Sequence, residues 1–591
     1  MTRLWLFELC LVGCGAVVMS VTSIATISSR AVAGRRHAVL TLGPAAAIAL
    51  AMLAYLVLVV EPAFVHPEFY GPELITDILL FPSRVPAHRE YGAGSFAILR
   101  ALSAAFGRSA EAVVRANEIF AAACTIPLAA LAMRWSGRPS AGIYAALAWA
   151  SSGLVARVGA SEDVHMAVTF VALSTALAID IAATTGAWPV LVAAVAGGQI
   201  IAVSRQSFFA WIPMFLLLWW ERSRPADAVG AGCSPRLRRA GLVAMASVPL
   251  STAALLLLRD AAHAQIILMA DLLLLKNPSE MWSCIVEHPV FDVRRLSILL
   301  PLLTALGAVW ILRRSPARWS WIVGAALSAF LSAPTNWPSP GNRWAFRLPV
   351  YVLALIAAGI GATCIEERVL RSASPRRRVA LVGTIGAVIV ACGLLAPASR
   401  EGRVTHAEFQ NYVFLRNTLE RLRGEAQIGL ILPPDEAKPR NAAKALSQLM
   451  EIRIVEARKA LAGPVDPQVS WYFYRDLACF AWSVPELILP PGAEEAEMTR
   501  WILEDEDRLL TLLFRADEDF GFARIVHRDW TEHPHCKELA AHSDSVGLSG
   551  PHLVPQQDPP QIVYLVPSVT PELRRWIGTR GAGESAPVPP P

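Results

Sequence analysis

The sequence predicts a polytopic α-helical membrane protein of about twelve spans, followed by a soluble α/β domain. Three observations carry that class. Apolar residues make up 54% of the 591 and charged residues only 17%. Several uninterrupted apolar runs reach roughly 17–25 residues, the length a helix needs to cross a bilayer. Basic residues collect in alternate short connections between those runs, as the positive-inside rule requires. The net charge of +5 is thereby a signal of topology and does not point to nucleic acid.

Taken in order, the apolar segments lie near 5–27, 38–60, 111–133, 140–157, 164–184, 187–203, 207–221, 240–258, 296–312, 318–333, 348–366 and 378–397. The first, Leu4 to Ile27, contains Leu11-Val12-Gly13-Cys14, a weak lipoprotein-like cleavage box. Its apolar run continues past Cys14, so an uncleaved first helix is expected. Arg30, Arg35 and Arg36, then Arg134 and Arg138, then Arg222 to Arg239, then Arg313, Arg314 and Arg318, and finally Arg368 to Arg378 mark the cytoplasmic connections. That assignment leaves the loops 61–91, 158–164, 259–295 and 334–347 outside, with everything after the last helix.

Four regions follow. Residues 1–37 hold the first helix and a cytoplasmic loop, and 38–397 form the membrane domain with an outer loop at 61–110. Residues 398–579 form the extracytoplasmic domain, and the end, GAGESAPVPPP at 581–591, belongs to a disordered tail over 580–591. In the outer loop, Phe96 to Phe106 has the spacing of an amphipathic helix lying at the interface, with a re-entrant or ordinary packed helix as the alternative. Past residue 398, Val404–Arg423 and Asn441–Met450 read as helices. Gln427–Leu432, Glu451–Val455, Ser470–Tyr474, Phe522–His527 and Ile562–Val566 read as strands. Nine cysteines show no metal-ligand spacing. Cys479 and Cys536 are the two in the outer domain, where a disulfide is permitted.

Three constellations of charge lie on the outer side. The first is the loop Glu61 to Tyr91, with Glu61, Glu68, Glu73, Asp77 and Glu90 beside His66 and His88. Carboxylates held where a bilayer meets water suit proton abstraction, cation binding or capture of a polar headgroup. The second runs from Arg157 through Glu162 and Asp163 to His165. Its plain alternative is a solvated turn, with Ser161 capping the next helix and the two acids facing its dipole. The third is Asn342 to Pro349, where Arg343 and Arg347 are four apart and share a helical face. That pair could clamp a phosphate or snorkel to anionic lipid heads. Arg205 sits at another outer turn, and Glu8, Glu118 and Asp180 read as packed or paired residues of the spans.

At these residues the chain resembles the GT-C superfamily of polyprenyl-phosphate-sugar glycosyltransferases, including protein O-mannosyltransferases, aminoarabinose transferases and Rgt-type enzymes. Glu68-Phe69-Tyr70 with Glu73 and Asp77 is similar to that superfamily's acidic motif. Tyr91 to Gly107 is similar to its juxtamembrane stretch, and Val114-Arg115-Ala116-Asn117 to the helix start that follows. Arg157–His165 resembles its second acidic loop, and Asn342–Pro349 its late arginine motif. The resemblance covers roughly residues 38–365, by topology and loosely spaced motifs.

It implies an inverting transferase at the outer face of a bacterial inner membrane. Sugar would pass from a polyprenyl phosphate to an envelope lipid, glycan or protein. Glu68, Glu73 or Asp77 would be the base, with Glu162 and Asp163 placing the acceptor or a cation. His88, Glu90, Tyr91, Arg157 and His165 would line the substrate, and Arg205, Arg343 and Arg347 would hold phosphate. The superfamily usually has an Asp immediately before or at the Glu68 position, and the chain departs from that pattern with Pro67 at the neighbouring site. Which carboxylate is the base, and whether a divalent cation takes part, stay open. Two other classes remain: a non-catalytic envelope scaffold built on the same fold, and a transporter or flippase. The latter expects ionisable residues midway along helices.

Overall fold

A computed structural model of the chain describes residues 32–64, 71–80, 93–202, 211–224, 234–258, 299–332, 340–370 and 375–396, with short segments between 409 and 565. By its internal contacts it divides into two units: one holds 1–66 and 77–402, the other 67–76 and 403–591. Each is described by itself.

The first unit is a helical bundle. Its described helices are α1 (Val32–Leu58), the end of α2 (Gly71–Leu80), α3 (Ala93–Ser103), α4 (Ala110–Ala123), α5 (Thr125–Ser136), α6 (Pro139–Ala150) and α7 (Gly153–Gly159). After these come α8 (His165–Thr185), α9 (Trp188–Ala202), α10 (Trp211–Arg222), α11 (Pro235–Leu258), α12 (Leu300–Arg314), α13 (Arg318–Ser332), α14 (Pro340–Leu370) and α15 (Pro375–Leu394). Helices thus stand at the apolar runs read from residue 38 onward.

Among the described residues three helices are long and apolar enough to cross a membrane: Ala110–Ser136, His165–Thr185 and Arg347–Val369. A fourth is added if α6 and α7, bent by 62° at Ser151 and Ser152, count as one broken span. The segment at 5–27 and the outer stretch at 259–295 lie outside the described residues.

Local chemistry explains the breaks. Ser109 opens α4 by accepting the Ala112 N–H at 3.1 Å, so the helix begins ahead of the Val114–Asn117 stretch read as a helix start. Pro127, two residues into α5, lacks the N–H that would reach Ala123 and crowds its carbonyl, which separates α4 from α5 at Cys124. Helix α14 begins at Pro340, not near 348, because proline is well suited to a first helical turn. Residues 340–347 are therefore helical and correct the loop expected over 334–347. Phe96 and Leu99 of α3 are buried, and α3 packs on α4 and α8. Its helix stops at Ser103 and a 3-10 turn finishes the stretch to Phe106, so it is a packed helix on its buried side.

The bundle has a basic end, where the connections rich in arginine meet. Asp180 there is buried and accepts from the Nε of both Arg134 and Arg222. Arg134 also donates to Thr184 Oγ1 at 2.8 Å. Glu221 accepts the N–H groups of Trp319 and Ser320, each at 2.9 Å, at the start of α13. Arg138 pairs with Glu367, and Trp219 Nε1 donates to Arg238 O at 3.1 Å. These contacts join the ends of five connections, so the alternation of arginine loops read from sequence becomes one face of the bundle.

Helices α12 and α14 pack backbone to backbone. A Cβ at Gly307 would stand 1.7 Å from Ala357 O, and one at Gly361 would stand 2.0 Å from Leu303 O. Such close approach needs small residues, and in an apolar bundle it supplies the van der Waals contact that burial of apolar surface cannot.

In the second unit, β1 (Gln427–Leu432) lies between β2 (Arg453–Glu456) and β3 (Val469–Phe473), parallel to both. Strands β4 (Ser549–Val554) and β5 (Gln561–Leu565) pair antiparallel with an irregularity between Ser549 and His552. Four of the five expected strand positions fall on β1, β2, β3 and β5 within a residue or two. The Gly550-Pro551 turn chemistry of β4 hid it from sequence reading. The expected strand Phe522–His527, and Cys479 and Cys536, lie outside the described residues.

Gly361→Val is expected to lower stability by ~1–3 kcal/mol through overpacking. Gly383→Ala, which meets nothing within 4 Å, should leave it unchanged. Thermal unfolding in detergent, read by fluorescence size-exclusion, distinguishes the two.

Candidate active site at the acidic end

Opposite the basic end, the short helix α7 closes on the loop Ala160–Val164, and α8 begins at His165. Ser161, Glu162, Asp163 and His165 are all at 0% exposure. The solvated-turn alternative is corrected by that burial. Ser161 does not cap α8 either; its hydroxyl donates to Val158 O at 2.8 Å and accepts the Asp163 N–H at 3.3 Å. The carboxylate of Asp163 instead holds the first N–H of α8. Its Oδ1 accepts the His165 N–H at 3.0 Å and lies against the ring Nδ1 of the same residue. A carboxylate beside Nδ1 holds the imidazole in place. Thr169 Oγ1 donates to His165 O at 2.6 Å and locks the first turn.

The start of the first acidic loop is fixed to the second. Ala63 N donates to Ala160 O at 3.0 Å, and Ala63 and Ser161 form an isolated parallel bridge. Glu61 is exposed, while Ala63 and Phe64 are buried. Helix α4 supplies a further set of polar groups. Arg115 Nη1 donates to Glu118 Oε2 at 2.8 Å and to Val57 O at 3.4 Å, at the end of α1. Asn117 Nδ2 donates to Val158 O at 2.7 Å and Ser161 O at 3.1 Å. Glu118 is therefore paired, as is Asp180, in keeping with their reading as structural members of the spans.

Asp77, near the end of α2, is buried at 6% exposure. Arg157 is half-buried on α7. Arg347 is fully buried in the second turn of α14, at the end of that helix remote from the Arg138–Glu367 pair. A snorkelling arginine would carry its guanidinium to the surface, and the burial of Arg347 does not fit that alternative. Glu73 and Arg343 lie on helices α2 and α14. Glu68, His88, Glu90, Tyr91 and Arg205 fall outside the described residues.

Among the described residues no group of three His, Cys, Asp or Glu side chains is arranged to hold a metal ion. What the site does bring together is buried carboxylate, imidazole and amide at one end of an apolar bundle. There the low dielectric strengthens each hydrogen bond and charge interaction.

Sequence reading missed Asn117 as a member of this site. The signal was present: an arginine, an asparagine and a glutamate within four residues of an otherwise apolar span are costly in a membrane without a purpose.

No family model and no curated protein matches the chain. Among solved structures, it is similar to the archaeal oligosaccharyltransferase AglB from Archaeoglobus fulgidus, in complex with an inhibitory peptide and a dolichol-phosphate. That match has 12% identity and a TM-score of 0.44, over 69% of this chain and 63% of that one. The chain thus spans less than two thirds of the length of that structure. It is also similar to ArnT from Cupriavidus metallidurans in the apo state, with 12% identity and a TM-score of 0.45, over 88% of this chain and 97% of that one. The form of ArnT bound to undecaprenyl phosphate matches at 12% identity and a TM-score of 0.43, over 90% and 98%. At 12% identity and TM-scores below 0.5, these likenesses assign neither a family nor an activity.

The pairing at the basic end generates its own test. Asp180→Ala leaves two largely buried arginines without their shared counter-charge, which costs ~3–5 kcal/mol by analogy with broken buried ion pairs. Its thermal midpoint should fall, and adding Arg134→Gln in the same chain should recover part of the loss. A double variant no more stable than Asp180→Ala alone would show that the pairing does not hold this end together.

Proposed function

We propose that the protein is a membrane glycosyltransferase of the GT-C type. It would take a sugar from a polyprenyl phosphate at the outer face of a bacterial inner membrane and pass it to an envelope lipid, glycan or protein. The observation that carries this reading is the fully buried Asp163–His165 pair at the acidic end of an apolar bundle, with Asp77 and Arg347 buried in the same unit. Transfer from a lipid-linked phosphate asks for a group that takes a proton from the acceptor and cations that stabilise the departing phosphate. A carboxylate of the first loop would meet the first requirement, and Arg347, with Arg343 and Arg205, would serve the second.

In this reading Glu68, Glu73 or Asp77 on the first loop is the base, and Glu162 and Asp163 place the acceptor or a divalent cation. His88, Glu90, Tyr91, Arg157 and His165 line the sugar and its acceptor. The basic end faces the cytoplasm, following the positive-inside rule. The chain then crosses about twelve times, which puts residues 398–579 outside as an α/β domain that helps choose the acceptor.

A transporter would use a broken helix, and the 62° bend between α6 and α7 is one. It would also need ionisable groups along the spans that can exchange partners. Glu118 is held by Arg115, and Asp180 by two arginines, which favours the transferase.

Purified protein in lipid, given labelled polyprenyl-phosphate sugars, should release sugar. Asp163→Asn should cut that release by ~10²–10⁴-fold, the range of a lost acid–base or positioning group, with the folded fraction unchanged. Glu68→Gln in parallel, with and without added divalent cation, assigns the base and the metal dependence. Wild-type turnover retained in Asp163→Asn would remove the second loop from the chemistry.

A further inference from the structure

The loop that carries Asp163 is held from a different helix. Residues Ala160–Val164 form no regular element beyond the single bridge to Ala63. Yet a reacting group must be kept within about 0.5 Å of its productive position. Asn117, at 0% exposure on α4, reaches across to that loop and donates both N–H groups of its amide, one to Val158 O and one to Ser161 O. Those two acceptors fix which way the amide points. Exchanging its oxygen and nitrogen would set the oxygen against two carbonyl oxygens.

From the amide an unbroken chain of hydrogen bonds leads into the site. Ser161, whose carbonyl Asn117 binds, holds the Asp163 N–H through its hydroxyl, and Asp163 Oδ1 holds the His165 N–H and lies against the ring. The same turn of α4 carries Arg115, which binds Val57 O just ahead of the first acidic loop. One helical turn therefore contacts the chain at the root of both loops.

We propose that Asn117 is a positioning residue: it sets where the Asp163 carboxylate and the His165 imidazole stand, and it acts on the reaction only through them. The chemical part of this inference rests on the transferase reading, whereas the mechanical part does not. A displacement of about 1 Å at a reacting group costs on the order of 10²-fold in rate, so a residue remote from the substrate can govern turnover.

The test is a double-variant cycle on the full-length protein in lipid, with Asn117→Asp, Asp163→Asn and the two combined. Asn117→Asp keeps the size of the side chain and turns its donors into acceptors. Asn117→Ser, which retains one donor, stands in if that variant does not fold. Two quantities are read: sugar release per folded molecule from labelled polyprenyl-phosphate sugars, and backbone hydrogen exchange over residues 160–165. Asn117→Asp is expected to lower kcat by ~10²-fold with KM little changed and to raise exchange in that segment, and the combined variant should be no slower than Asp163→Asn alone. A purely structural role would reduce the folded fraction and leave kcat per folded molecule intact.

Additive losses in the cycle, or unchanged exchange over 160–165, would overturn the proposal. If the wild type releases no sugar from any donor, the transferase reading fails, and the exchange measurement alone decides whether Asn117 holds the loop.

Discussion

Burying a charge in an apolar bundle is the constraint on which the rest of this structure turns. A carboxylate out of water costs several kcal/mol unless other groups replace its hydration. The chain meets that cost in different ways at its two ends. At the basic end Asp180 is met by two arginines and joins α5, α8 and α10. At the acidic end the Asp163 carboxylate accepts the His165 N–H and lies against the His165 ring. The first arrangement joins three helices through one charge; the second ties a carboxylate to the start of α8 and to an imidazole.

Between the ends, packing follows from small residues. Gly307 and Gly361 let α12 and α14 touch through their backbones, and Arg347 lies two turns before the middle of that long helix. Moving α14 outward to admit a Cβ would also move Arg347. Fold and site are therefore linked through helix spacing, since interiors close-packed to this degree transmit displacement.

Much of this was legible in the sequence. Apolar runs placed the helices because hydrophobic length is set by the solvent, and alternate arginine loops became one face of the bundle. Arg157 to His165 stood out because adjacent acids in an apolar hairpin are rare. The environment of those acids was not legible. Ser161 followed by two acids has the composition of a helix cap and a solvated turn. Only the packing of α4 against α7 and α8 makes it a buried loop in which Asp163 holds the first N–H of α8. Asn117 was hidden for a related reason, as its partners are backbone carbonyls about forty residues away and carbonyls leave no mark in a sequence. The start of α14 at Pro340 escaped because tryptophan, proline and arginine read as an interfacial loop, while the same residues fit a first helical turn.

The most direct measurement is a structure of the protein in lipid with a polyprenyl-phosphate sugar bound. The phosphate is expected at the acidic end in ionic contact with Arg347, and the sugar beside the Asp163–His165 loop. A phosphate seated instead at the basic end, among Arg134, Arg222 and their neighbours, would contradict a transferase site at the buried acidic loop.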